Sequence, residues 1–112
     1  MRKQHKYMLL ATLGWSLAIP APSQSQEIVH DKAPAQLERM VRQDCGSCHG
    51  MTFKGGLGSP LLPENLIAYS IDDLTTIILD GLPGTAMPPW RAVVSQRDAI
   101  WMAQYLKQGG NN

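Results

Sequence analysis

Three stretches of the 112-residue chain signal helices, by apolar spacing or by start and stop residues, and the segments between them do not. In APAQLERMVRQDC, Leu37, Met40 and Val41 recur at the interval that turns one face of a helix inward. A helix from Ala33 to Asp44 is predicted, with Pro34 tolerated in the first turn, where its missing N–H is no loss. Ser70-Ile71-Asp72-Asp73 reads as a capping box with Asp at the third helical position, ahead of LTTIILD and a stop at Gly81, which predicts a helix over Ile71 to Asp80. Ser95-Gln96-Arg97-Asp98 repeats the signal and predicts a helix to about Gln108, closed by Gly109. Its stripe of Ala99, Met102, Ala103 and Leu106 faces inward, with Tyr105 alongside. Asp72, Asp73 and Asp98 are thereby read as helix-start residues, favoured by the N-terminal dipole, rather than as catalytic carboxylates. No alternating strand pattern and no repeat is visible, so the expected class is all-α.

Between the helices, GMTFKGGLGSPLLPENLIAY carries Gly50, Gly55, Gly56, Gly58, Pro60 and Pro63 and shows no periodicity. A loop of that length in a small domain argues against its own assignment unless it wraps a ligand or builds a site. GLPGTAMPPWRAVV is a second loop, punctuated by Pro83, Gly84, Pro88 and Pro89. At the N-terminus, Arg2, Lys3 and Lys6 precede a 13-residue apolar run from Tyr7 to Ile19 and a Pro/Ser/Gln stretch. That is the layout of a secretory leader, and the run is shorter than the roughly 20 residues of a spanning helix. Ser23 and Ser25 are the small residues at the right spacing. Cleavage after Ser25 is expected, leaving a leader over 1–25 and one exported domain over 26–112.

Removing the leader changes the charge: the formal +1 of the whole chain becomes 7 Lys+Arg against 9 Asp+Glu, near −2. With no basic stripe and no aromatic-basic interleaving, nucleic acid is excluded as a partner. A mature chain of about 87 residues buries a limited share of its surface. Something besides its own side chains is expected to help hold it together.

The candidate lies in CGSCH, which contains the only two cysteines, Cys45 and Cys48, with His49 directly behind. A disulfide would suit an exported protein but leaves the histidine unexplained, and a thioredoxin-like dithiol needs a strand that is not predicted. A zinc site lacks a second ligand cluster, since the mature chain offers only His30 besides. C-x-x-C-H is the c-type haem attachment signal, in which both thiols add to haem vinyl groups and the histidine approaches iron. A large apolar plate also accounts for the long loop, whose Leu57, Leu61, Leu62, Leu66 and Ile67 would cover its faces.

For a second axial ligand the chain offers Met40, Met51, Met87, Met102 and His30. Met51 is out of reach: two residues from His49, its Cα lies at most about 7 Å away, too near to serve the opposite face. Met40 and Met102 sit on helical stripes where packing is the expected role, and His30 lies in a polar lead-in. Met87 occupies a loop stiffened by Pro83, Pro88 and Pro89, a good place to hold a thioether against a metal. Pro60, eleven residues past His49, could offer a carbonyl to the other imidazole nitrogen. Trp90 and Arg91 could contact a haem propionate, although a core tryptophan beside a surface arginine explains them nearly as well.

With CGSCHG, GSPLL, GTAMPP and the AQYLKQ helix all in order, the mature chain resembles a small class I cytochrome c along essentially its whole length. The resemblance implies a small cytochrome c fold, three to four helices and long loops around one covalently bound haem c. It makes Cys45 and Cys48 the thioether sites, His49 and Met87 the axial ligands, and the Pro60 carbonyl the partner of His49, with Tyr105 near a crossing of the terminal helices. The run CGSCHGMTFKGGLGSPLLPENL looks more narrowly like the cytochrome c-55X type, small periplasmic cytochromes of denitrifying bacteria found with the cytochrome cd nitrite reductase. That likeness implies a monomeric electron carrier rather than an enzyme, delivering single electrons to the reductase or assisting maturation of its haem d. The competing class is a haem enzyme or gas sensor with an open sixth position.

Overall fold

The computed structural model describes residues 31–110, so the expected leader, its cleavage site and His30 lie outside the described residues. Four α-helical segments follow in chain order: α1 (Pro34–Met40), α2 (Gly46–His49), α3 (Ile71–Asp80) and α4 (Gln96–Lys107). A π-helical turn, Val41–Cys45, joins α1 to α2, and a 3-10 turn spans Pro63–Asn65. Among the described residues there is no strand, and no helix is long and apolar enough to cross a membrane.

The first helix departs from expectation. It opens as predicted with Pro34 in its first turn, but it does not stop at Asp44. The widened turn carries the chain through Cys45 and on to His49, where Gly50 at φ 89° ends the run. Gly46 and Ser47, both poor helix formers, lie inside it. Gly46 is buried, and a methyl group at that position would meet the Met51 sulfur at 3.3 Å, so the helix there is held by tertiary packing rather than by propensity. A single π turn inside a helix is a recurrent feature of functional sites.

α3 and α4 begin as predicted. The Asp73 N–H donates to Ser70 Oγ at 3.0 Å while the Ser70 N–H donates to the Asp73 carboxylate at 2.9 Å. The Ser70 hydroxyl, which donates to the same carboxylate at 2.7 Å, and after it the Ser70 N–H hold the Asp73 carboxyl below its usual range. Ser95 and Asp98 exchange the same pair at 3.0 Å. Asp98 is 2% exposed, a burial that the cap alone does not explain. Its second oxygen accepts the Lys32 backbone N–H at 2.9 Å, and the Lys32 ammonium stands 3.7 Å from the first, so the buried charge is paired. The entering chain is thus fastened to the start of α4.

Leu37 and Val41 of the first helical run meet Ala99, Met102, Ala103 and Leu106 of α4, and α3 adds Leu74, Ile78 and Leu79. Met102 is a core side chain, and Met40 is half-buried against the same cluster. Tyr105 stacks on Trp101, with ring centroids 5.0 Å apart, beside the Glu38–Arg42 pair of the first helical run. Within the long loop, Phe53 is buried although it sits at φ 58°, a conformation that side chains rarely adopt. Its carbonyl accepts the Leu61 N–H at 2.9 Å, so Phe53 anchors the loop to the core.

Candidate functional site

Carrying the helix through CGSCH places Cys45, Cys48 and His49 on its final turns, and all three line one cavity of about 690 Å³. Met87 lines the same cavity from the second loop, while Leu66, Leu74, Ile77, Ile78 and Trp90 supply much of its apolar wall. Both cysteines are free thiols among the described residues. Burial, helped by the neighbouring Asp44 charge, pushes the Cys45 thiol up to about 11, whereas Cys48 is exposed.

His49 is fixed by its backbone and its ring. Its carbonyl accepts the Gly55 N–H at 2.9 Å, and the Cys48 carbonyl accepts the Gly58 N–H at 2.8 Å, so the glycine-rich loop folds back over the end of the helix. The ring Nδ1 lies 2.6 Å from the Ser59 carbonyl oxygen. A carbonyl can only accept, so Nδ1 carries the proton and Nε2 keeps its lone pair for a metal. The partner carbonyl is therefore that of Ser59 and not the expected Pro60. The two share a peptide bond, and the oxygen of that tertiary amide belongs to the residue before the proline; Pro60 itself lines the cavity.

The role of Gly58 escaped the sequence reading, which had it only as one of the loop glycines. A methyl group there would stand 2.7 Å from His49 Cε1 and 2.8 Å from Nδ1, so the imidazole lies flat against bare backbone. Gly58→Ala is expected to tilt the ring, stretch the Ser59 contact and cost about 1–3 kcal/mol. A denaturant midpoint and an optical spectrum of the loaded protein check this; an unchanged midpoint and spectrum would count against the packing described.

Met87 is carried by a loop tied to the end of α3. Gly81, at φ 67°, leaves no room for a side chain, since a methyl group would come within 2.6 Å of the Met87 carbonyl oxygen. The Trp90 and Arg91 N–H groups donate to the Leu79 carbonyl at 3.1 Å. Arg91 grips Asp80 with two parallel bonds, at 2.8 and 2.9 Å, which hold the Asp80 carboxyl below its usual range. Arg91 is thereby engaged at the surface and does not line the cavity, whereas Trp90 does.

The other expectations divide. Leu57, Leu61 and Leu66 line the cavity; Leu62 lines instead a second cavity of about 610 Å³. Ile67 is 77% exposed and covers nothing there. Met51 is exposed on the side of that second cavity. The site as built suits a haem: an apolar cavity within the roughly 300–1,000 Å³ of small-molecule sites, two thiols and an oriented imidazole on one wall, a thioether on another, and a bare glycine where the imidazole needs room.

Residues 32–106 match the protein-family model described as "Cytochrome C oxidase, cbb3-type, subunit III". The chain is 42% identical over 99 residues to a "Cytochrome c55X" of Paracoccus denitrificans (strain Pd 1222), covering 88% of each. Among solved structures it is similar to "c-type cytochrome NirC", with a TM-score of 0.65 and 45% identity over 67% of this chain and 88% of that one. It is also similar to "Dihydro-heme d1 dehydrogenase NirN in complex with DHE", with a TM-score of 0.60 and 35% identity over 63% of this chain but only 15% of that one.

Proposed function

Since the chain belongs to the cytochrome c55X family of c-type cytochromes, haem proteins that transfer electrons rather than catalyse reactions, we propose that it is a periplasmic carrier of single electrons to a cytochrome cd nitrite reductase. Cys45 and Cys48 would hold one haem c through thioether bonds, His49 and Met87 would supply its iron ligands, and the chain would be exported as residues 26–112 after loss of the leader. The observation that carries this reading is the convergence of both thiols, the imidazole and the Met87 side chain on one apolar cavity.

When bound, the haem supplies a one-electron couple. The polypeptide does the rest. Ser59 holds the His49 ring proton and with it the ring orientation, which fixes the nitrogen that faces the metal. The Met87 thioether favours ferrous iron and raises the potential, and the apolar wall around it keeps water out. Met87 at the cavity also supports a filled sixth position over the open one of a haem enzyme or gas sensor.

A second reading has its own support. The likeness to a short part of a dihydro-heme d1 dehydrogenase suits a redox or docking role in maturation of haem d. Stopped-flow absorbance separates the two. The ferrous protein mixed with the nitrite reductase and nitrite is expected to be reoxidised rapidly, and to reduce no nitrite alone. Absence of reoxidation at any ionic strength, together with a deletion strain that accumulates reductase lacking haem d, would replace the carrier role by the maturation role.

A further inference from the structure

The loop that presents Met87 is closed by backbone bonds, among them the Thr85 N–H to the Leu82 carbonyl at 3.1 Å, and by one side chain. The Thr85 hydroxyl donates to the Leu82 carbonyl at 2.7 Å, and its oxygen accepts the Met87 N–H at 3.3 Å. The Leu82 N–H donates to the Met87 carbonyl at 3.2 Å, so the two ends of the turn are joined both directly and through Thr85. Beyond Met87 come Pro88 and Pro89, which have no N–H to give. The Met87 amide is therefore the last backbone donor before Trp90, and Thr85 is the side chain that takes it.

We propose that Thr85 is the positioning residue for Met87, holding the thioether in register with the metal. The proposal rests on the reading of Met87 as an axial ligand. Thr85 also lines the cavity and is exposed, so water that reaches it can replace either of its bonds without leaving a buried orphan. Removing the hydroxyl consequently costs the fold little and loosens the loop around Met87, where the backbone bonds between Leu82, Thr85 and Met87 remain. Freed of the Thr85 bridge, the loop spends more time with Met87 withdrawn, and a competing ligand sees a larger fraction of binding-competent protein.

The test uses the ferric, haem-loaded protein with imidazole as the competing ligand, read from the weak red absorption of thioether-ligated ferric haem. Thr85→Val keeps the shape of the side chain and loses both bonds; Thr85→Ser keeps the bonds. With one hydrogen bond as the difference, imidazole is expected to bind Thr85→Val about fivefold more tightly than wild type. Thr85→Ser is expected to follow wild type, and the denaturation midpoint to be the same in all three. Equal imidazole affinity in Thr85→Val and wild type overturns the proposal while the Met87 reading stands. So does a midpoint that falls together with the affinity change, because the hydroxyl is then a support of the fold. A wild-type ferric protein without the red band removes Met87 as a ligand and the proposal with it.

Discussion

Replacing Met87 by alanine is expected to lower the reduction potential on the order of 100 mV and to let carbon monoxide bind the ferrous protein. A tenfold change in the preference for ferrous iron corresponds to about 59 mV for a one-electron couple. A soft thioether prefers the ferrous state, and water in its place does not. The change should be confined to the metal, because the loop is tied to α3 by backbone bonds from Trp90 and Arg91 and by the Arg91–Asp80 grip, none of which involves the Met87 side chain. Met51→Ala and Met102→Ala serve as controls: the first removes an exposed side chain outside the cavity wall, the second a core side chain that is 2% exposed. Met102→Ala should cost stability, about 2–5 kcal/mol for a buried methionine, without admitting carbon monoxide. If Met51 or Met102 rather than Met87 governs carbon monoxide binding, the ligand assignment is wrong.

What made Met87 a candidate was local: a methionine among four prolines and glycines has no helical stripe to pack on. α3 and α4 were legible for a similar reason, since Ser70 with Asp73 and Ser95 with Asp98 write each helix start within four residues. The end of the first helical run was not. Gly46 and Ser47 are poor helix formers, and what keeps the helix going to His49 is burial of Gly46 and a backbone fold-over by Gly55 and Gly58, contacts with residues five to ten positions away. Nothing in the spacing of CGSCH announces a π turn.

The same distinction separates Pro60 from Ser59. Eleven residues of sequence suggested a proline-fixed carbonyl, and the structure uses the neighbouring one because the proline ring fixes the amide it closes, whose oxygen is on Ser59. Gly58 and Gly81 were visible as glycines but not as the positions where bare backbone meets His49 and Met87. Ile67 was assigned to the cavity on hydrophobicity alone. Leu66 beside it takes the buried place, and adjacent residues of a turn do not share a direction.

Made without haem attachment, the chain is expected to lose most of its helical signal and to show no cooperative thermal transition. A 60-residue domain buries only about 60% of its unfolded surface, and the 80 described residues are not far beyond that margin. The core is also shared with the site: Leu66, Leu74, Ile78 and Leu106 belong both to the buried cluster and to the wall of the 690 Å³ cavity. In the haem-free chain their cavity-side atoms have no neighbour to pack on, and the Gly50–Tyr69 loop loses what it wraps. Four large side chains left half-supported are worth several kcal/mol, comparable to the whole stability of a domain of 5–15 kcal/mol. The proposed covalent attachment through Cys45 and Cys48 would remove the loss permanently, because the group that fills the cavity could not dissociate. The measurement is far-ultraviolet circular dichroism with thermal melting on residues 26–112 made in the cytoplasm without a c-type maturation system, beside the same chain matured in the periplasm. The Cys45→Ser, Cys48→Ser double variant, exported with the leader intact, should behave as the haem-free chain does. A haem-free chain that melts cooperatively with native helix content would mean that the helices hold one another without the cavity's occupant, and that the cofactor serves the redox chemistry alone.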